Sequence, residues 1–286
     1  MSKSLVVVGI DFQPESVQVV RAEETAGRLQ IMDIELLTRD QLSTRFREQS
    51  ADVVVSIPDR HVSVRPLFLP LSKTDSDDCA TFELLMALGD EPAQYRFETI
   101  DTGRNGYRLG LVARRNDLAE YRASLFSGAE TSGQRCRFLA RAVALGRGYL
   151  TFCRRGRGEF ICLVDLCGGE MSICLVYGDY IVGLARLDIS ANDVSSAGGR
   201  EHMAVDLKTL VNFQVASLLN AGITIPLSAL LLGGSLVDDD CIGALGRYFP
   251  VGVDLLQTTK FYSSQLAGLT DLPPHQLVVA LGLVAN

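Results

Sequence analysis

Tryptophan is absent from this chain, and histidine occurs only at positions 61, 202 and 275. Those three are scattered without metal-ligand spacing, and none accompanies a Ser or Cys nucleophile motif, so each reads as a structural residue. The seven cysteines include no CxxC pair, and an odd number so arranged favours neither a disulfide framework nor a zinc knuckle. Cys162 and Cys174 sit inside apolar runs, where a thiol packs as a small hydrophobe. Excess positive charge is missing too. A net charge of −7 supplies no field to attract phosphate backbones, which excludes a general nucleic-acid binder. Apolar runs such as residues 227–232 and 276–284 fall far short of the roughly 20 residues a membrane-spanning helix needs. Residues 5–10 form a strand-sized run with a lone Lys3 before it, which is not the layout of a secretory signal.

What the chain does have is a duplication. Val6-Val7-Val8-Gly9-Ile10-Asp11 leads through a polar turn into Ser16-Val17-Gln18-Val19-Val20. Phe160-Ile161-Cys162-Leu163-Val164-Asp165 leads through Cys167-Gly168-Gly169-Glu170 into residues 171–176. Each copy is an apolar run ending on an aspartate, a tight turn and a second β-prone run. The two aspartates lie 154 residues apart (165 − 11). Two such hairpins predict two similar lobes facing each other across a cleft, where paired turns can offer backbone N–H groups to phosphates. The 286 residues, 47 % hydrophobic and 21 % charged, have room for that in one large or two medium domains.

The remaining pattern predicts a strand at 29–37, a polar helix near 39–49, and a buried strand at 51–57 stopped by Pro58. Residues 62–69 alternate less cleanly and end at Pro70. A helix is expected over 75–88, capped by Ser72 or Asp75, with Phe82, Leu85, Met86 and Leu88 as its apolar side. A hairpin follows at 95–101 and 107–113 around Asn105-Gly106. Helices are expected at 116–127, 135–150, 202–220 and 274–284, with residues 188–201 as one loop and 227–232 as a strand ending on Gly233-Gly234-Ser235. Asp238, Asp239 and Asp240 do not converge as a cation site and suit a helix N-terminus instead. The Arg154, Arg155, Arg157 cluster reads as a solvated tip.

Several of these segments resemble the actin-like ATPase superfamily, and within it the PilM family of type IV pilus assembly proteins. Val8-Gly9-Ile10-Asp11 is similar to the opening GID hairpin of that family. Residues 54–62 with 67–70 are similar to its A-V-P…V…L-P segment. Leu111-Val112-Ala113-Arg114-Arg115-Asn116-Asp117 resembles the close of its small inserted subdomain, and Ala280-Leu281-Gly282-Leu283 its final helix. The resemblance covers nearly the whole length. It implies an α/β, actin-like (ribonuclease H-like) two-lobe fold with a small inserted α+β subdomain and a reduced second lobe. The first lobe is expected over 1–150, with the insert at about 60–130, and the second over 151–286.

The resemblance places a nucleotide site at Asp11, Asp165, Gly168, Gly169, Gly233, Gly234 and Ser235, and the sequence shows that site degenerate. The first turn of the family is Asp-x-Gly with small hydroxyl residues. Here Gln13 adds bulk, Pro14 donates no N–H, and Glu15 brings negative charge. In the second turn Cys167 replaces a glycine and Glu170 is acidic. Aligning Ala144-Leu145-Gly146-Arg147 with the A-L-x-R of the family puts Leu139 and Arg141 where acids orient magnesium and water. The short 188–201 segment leaves out the subdomain that walls the adenine. No catalytic residue, metal or resident cofactor is therefore expected, ATP binding at most weakly.

By resemblance the function is that of a scaffold. PilM-like proteins sit at the cytoplasmic face of the inner membrane and grip the cytoplasmic tail of the single-span protein PilN, linking a pilus or secretion motor to a periplasmic complex. The implied groove draws on Val62, Val64, Leu67, Leu69, Phe82, Leu85 and Met86. Two rival readings remain: the cytoplasmic domain of a GspL-type secretion protein, and an actin-fold ATPase or phosphotransferase of the kinase type.

Overall fold

A computed structural model describes residues 5–25, 28–45, 52–69, 76–88, 92–104, 106–125, 136–154, 156 and 158–285. Strands β1 (Leu5–Phe12), β2 (Val17–Thr25) and β3 (Arg28–Leu37) form an antiparallel meander, followed by helix α1 (Arg39–Arg45) and strand β4 (Asp52–Ile57). Strand β4 lies parallel to β1, so the chain must cross over between them. The insert then begins. It is a three-stranded sheet of β5 (Ser63–Phe68), β6 (Tyr95–Arg104) and β7 (Tyr107–Arg114), in order β5-β7-β6, with helices α2 (Ser76–Leu88) and α3 (Arg115–Leu125). The chain returns through β8 (Cys136–Ala140), parallel to β4, which completes the sheet β3-β2-β1-β4-β8.

The second half repeats that plan. Strands β9 (Phe160–Cys167), β10 (Glu170–Tyr177) and β11 (Tyr180–Asp188) form the meander. Strands β12 (Ala229–Gly233) and β13 (Gly252–Leu255) add in parallel, giving β11-β10-β9-β12-β13. The two sheets have the same order, so the sequence duplication extends to the topology. Every residue of β9 is buried, as expected for a continuous apolar run covered on both faces.

Two helices tie the halves together. Helix α4 (Arg141–Gly148) leaves the first lobe and packs on β10 and β11, while the last helix, α9 (Pro274–Val284), packs on β1 and β2. They cross where glycines remove the side chains. A Cβ on Gly282 would strike the carbonyl of Ala144, and one on Gly148 the carbonyl of Val278. One hydrophobic core therefore runs through both lobes, and residue 150 is not a clean boundary.

Several expected elements are corrected. Residues 135–150 are not one helix: β8 precedes α4, and a π-helical turn, Tyr149–Cys153, follows. Residues 188–201 are not one loop, because α5 (Ala191–Ser195) and the start of α6 (Ala197–Leu218) occupy them. Gly198 and Gly199 disguise that start. Ser196 caps it by accepting from the Gly199 amide at 3.0 Å, and any Cβ at Gly199 would collide with the backbone of Asn192. Short β13 and α8 (Lys260–Leu266) carry little pattern of their own. In α2 the buried face is Ala80 and Leu84, whereas Phe82 and Met86 are 60 % and 66 % exposed, the reverse of the expected orientation. Asp238 caps α7 (Asp239–Tyr248) through the Cys241 amide at 2.7 Å, as its acids suggest. Ser72, Asp75, Pro70, Asn105, Arg155 and Arg157 lie outside the described residues, as do residues 46–49, 126, 127 and 135 at the ends of expected helices.

Candidate functional site

The pseudo-symmetry brings the two hairpin aspartates together. Asp11 near the end of β1 and Asp165 near the end of β9 are both buried, and Arg141, the first residue of α4, lies between them. Its Nη1 donates to Asp11 Oδ1 at 2.6 Å and its Nε to Asp165 Oδ2 at 2.8 Å. Asp11 also accepts from Ser56 Oγ at 2.7 Å and from Gln13 Nε2 at 2.6 Å. Burial opposes the charge on Arg141, but Asp11 and Asp165 overcome it and hold its pKa well above the ordinary arginine value. Burial lifts the Asp165 carboxyl against the pull of Arg141.

The turns beyond the aspartates also meet. Gln13 and Cys167, equivalent positions of the two copies, face each other, and Gln13 Oε1 accepts from Cys167 Sγ at 2.6 Å and from Ser235 Oγ at 3.2 Å. Burial pushes the Cys167 thiol up to about 12, which keeps it a neutral donor. A Cβ on Gly168 would stand 3.0 Å from Pro14. The Gln13 amide is spent on the Ser16 carbonyl, and Pro14 has none to give. Gly168, Gly169 and Gly234 adopt positive φ, but Gly234 serves packing: its amide donates to the His275 carbonyl, and a Cβ there would strike the backbone of Leu166.

Glu170 is engaged by the start of the insert. Its Oε1 accepts the Asp59 amide at 3.0 Å, while Oε2 is buried without a hydrogen-bond partner among the described residues. Asp59 opens the insert and presents both carboxylate oxygens to the Ala142 amide, at 3.1 Å each. Burial raises its pKa from 3.8 to about 7, with Glu170 adding to the rise and Ala142 opposing it.

Two cavities flank this cluster. One of about 150 Å³ touches Arg39, Arg60, Tyr121, Arg141 and Glu170, below the roughly 300–1,000 Å³ of ordinary small-molecule sites. The other, about 790 Å³, lies between the insert and the second lobe, with Val62, Val64, Arg65 and Arg114 on one side and Leu184, Arg186 and Leu210 on the other. The expected groove residues do not converge. Val62 and Val64 line this cavity, Leu67 and Leu69 are buried beneath α2, Leu85 is half-buried, and Phe82 and Met86 lie exposed on α2. Sequence reasoning saw Arg141 as a lost acid and Gln13 as bulk, and missed both as bridges. The shared 154-residue spacing of 11/165 and 13/167 was the signal available.

Two sheets of the same order, hairpin acids at the cleft and crossed helices make this an actin-like ATPase fold. No protein-family model matches the chain, and no curated protein matches it in sequence. Among solved structures it is similar to the PilM-PilN type IV pilus biogenesis complex, with TM-score 0.67, 14 % identity and 97 % of both chains covered. It is also similar to a Bacteroides thetaiotaomicron protein with actin-like ATPase fold and unknown function, with TM-score 0.51, 11 % identity, and 93 % of this chain and 96 % of that one covered. The cytoplasmic domain of EpsL, an inner membrane component of the Vibrio cholerae type II secretion system, aligns with TM-score 0.45 and 12 % identity, over 82 % of this chain and 84 % of that one. The chain is thus PilM-like in fold.

Proposed function

We propose that this protein is a scaffold at the cytoplasmic face of the inner membrane in a pilus or secretion platform, and that it holds the cytoplasmic tail of a PilN-like single-span protein without turning over ATP. The observation that carries this reading is the Arg141 bridge. The point between the hairpin acids, where an actin-like ATPase needs its metal and phosphates, is filled by a guanidinium of the chain itself. The full-length likeness to the PilM-PilN structure supports the choice of partner. Of the described helices, none is long and apolar enough to cross a membrane.

The cavity of about 790 Å³ is the better candidate for the tail. It runs along β5, an edge strand of the insert. The Leu69 amide reaches inward to the Gly106 carbonyl, so by alternation Val64 and Phe68 turn their backbone groups outward. Pro66, facing the same way, has no N–H, which limits strand addition to a few residues. A phosphotransferase would need turns that cradle phosphate, and here Gln13 and Pro14 occupy that space.

The test is a fluorescence titration with the cytoplasmic tail peptide of a PilN-like single-span protein encoded beside this one in the same genome. Ser63→Arg, an exposed change at the cavity, should weaken binding about tenfold, roughly 1.4 kcal/mol, while Phe82→Glu on the far face should not. No binding to any such tail removes the scaffold reading. A magnesium-dependent ATPase rate above background, lost in Asp165→Ala, removes the non-hydrolysing one.

A further inference from the structure

The cleft is built like a cation site whose cation belongs to the chain. Asp11 and Asp165 come from different lobes, both are buried, and both bond to one guanidinium. The two carboxylates and the Ser56 Oγ beside Asp11 are hard oxygen groups of the kind that suit Mg²⁺, Mn²⁺ or Ca²⁺, while Gln13 holds Asp11 through its amide Nε2. Arg141 stands at the start of α4, which follows β8 of the first lobe and packs its body on the second, so the guanidinium is held at the seam and bonded to both lobes. The contacts of Gln13 with Cys167 and Ser235, and of Pro14 with Gly168, close the same seam. With the guanidinium removed, two carboxylates would share a buried space without compensation, and opposed buried carboxylates cannot both stay ionised unless a cation joins them.

We infer that Arg141 is the resident cation of an interlobe two-carboxylate site, standing in for an external divalent ion and holding the two lobes closed with no ligand bound. This deepens the closed-cleft reading above and is independent of the partner. An actin-like cleft ordinarily closed by a nucleotide and its metal becomes here a permanent joint. The lobes then present the insert and its cavity in a single arrangement, whatever the ATP level.

The experiment compares wild type, Arg141→Ala and Arg141→Ala/Asp11→Asn by thermal unfolding at constant ionic strength, with EDTA or with millimolar Mn²⁺. Wild type should be indifferent to Mn²⁺. Arg141→Ala should melt well below wild type in EDTA and recover part of the loss in Mn²⁺, with one ion bound per chain by Mn²⁺ electron paramagnetic resonance. The double variant should lose that rescue and the bound ion. An Arg141→Ala protein as stable as wild type, or a Mn²⁺ response retained in the double variant, overturns the inference. Should Arg141→Ala fail to fold, Arg141→Lys decides. A folded Lys variant with the wild-type scattering radius supports a joint held by charge, and equal failure to fold overturns it. The two readings fail separately, because ATP turnover by wild type would strike the closed cleft, whereas a missing cation rescue strikes only the joint.

Discussion

Asp59 is a carboxyl group placed where water barely reaches, 7 % exposed, beside a second carboxylate and against the first turn of α4. Burial raises its pKa from 3.8 to about 7, so the native chain keeps a proton that the unfolded chain releases. The sign follows from linkage: stability falls with pH wherever the folded state binds more protons. The contribution of Asp59 is whole below about pH 4 and is lost as pH climbs through 7. Asp59→Asn keeps an oxygen for the Ala142 amide and removes the titration. Urea midpoints of wild type should decline between pH 5.5 and 8, and those of the variant should decline less; parallel curves would contradict the assignment. Asp59 was legible only as a residue after a proline-stopped strand, because the groups that enclose it lie more than eighty positions away in sequence, at Ala142, and further still at Glu170.

Among the elements, the crossing of α4 and α9 carries the most constraint. Gly148 and Gly282 let the helix backbones meet, so Gly282→Ala overpacks the joint and should cost about 1–3 kcal/mol or more. Gly243 in α7 is the control. A Cβ there meets nothing within 4 Å among the described residues, and Gly243→Ala should gain about 0.5–1 kcal/mol from helix propensity alone. Chemical denaturation of both variants checks the pair, and a loss at Gly243 equal to that at Gly282 would refute the packing account. The final helix was readable from its apolar run because nearly all of it is buried. The actual face of α2 was not, since Phe82 and Met86 look like core residues while small Ala80 does the packing with Leu84.

For the whole molecule, the closed seam bears on nucleotide affinity. With about 150 Å³ left beside the turns and Arg141 between the acids, the proposal of a closed seam predicts weak nucleotide binding there. Ligand stabilisation follows RT ln(1 + [L]/Kd), so ATP at a concentration equal to a millimolar Kd adds only about 0.4 kcal/mol. That is about 1 °C in Tm for a chain of this size. Differential scanning fluorimetry should show no larger shift with millimolar Mg-ATP, and a shift of several degrees at micromolar ATP would show that the seam opens.

Local pattern determined the duplicated hairpins, the long apolar strands and the two-lobe plan, though not β8 or β13, because each of these is written in a handful of neighbouring residues: apolar runs of strand length, turns rich in glycine, an aspartate at each tip. The make-up of the two turns was legible for the same reason, since Pro14, Gln13 and Cys167 lie within the turns themselves. Tertiary structure alone decided what stands between them. Arg141 reads in sequence as the first residue of an ordinary helix, and only the folding of two distant hairpins around it makes it a bridge. The larger cavity was decided the same way, because it opens between an insert and a lobe that no local spacing connects.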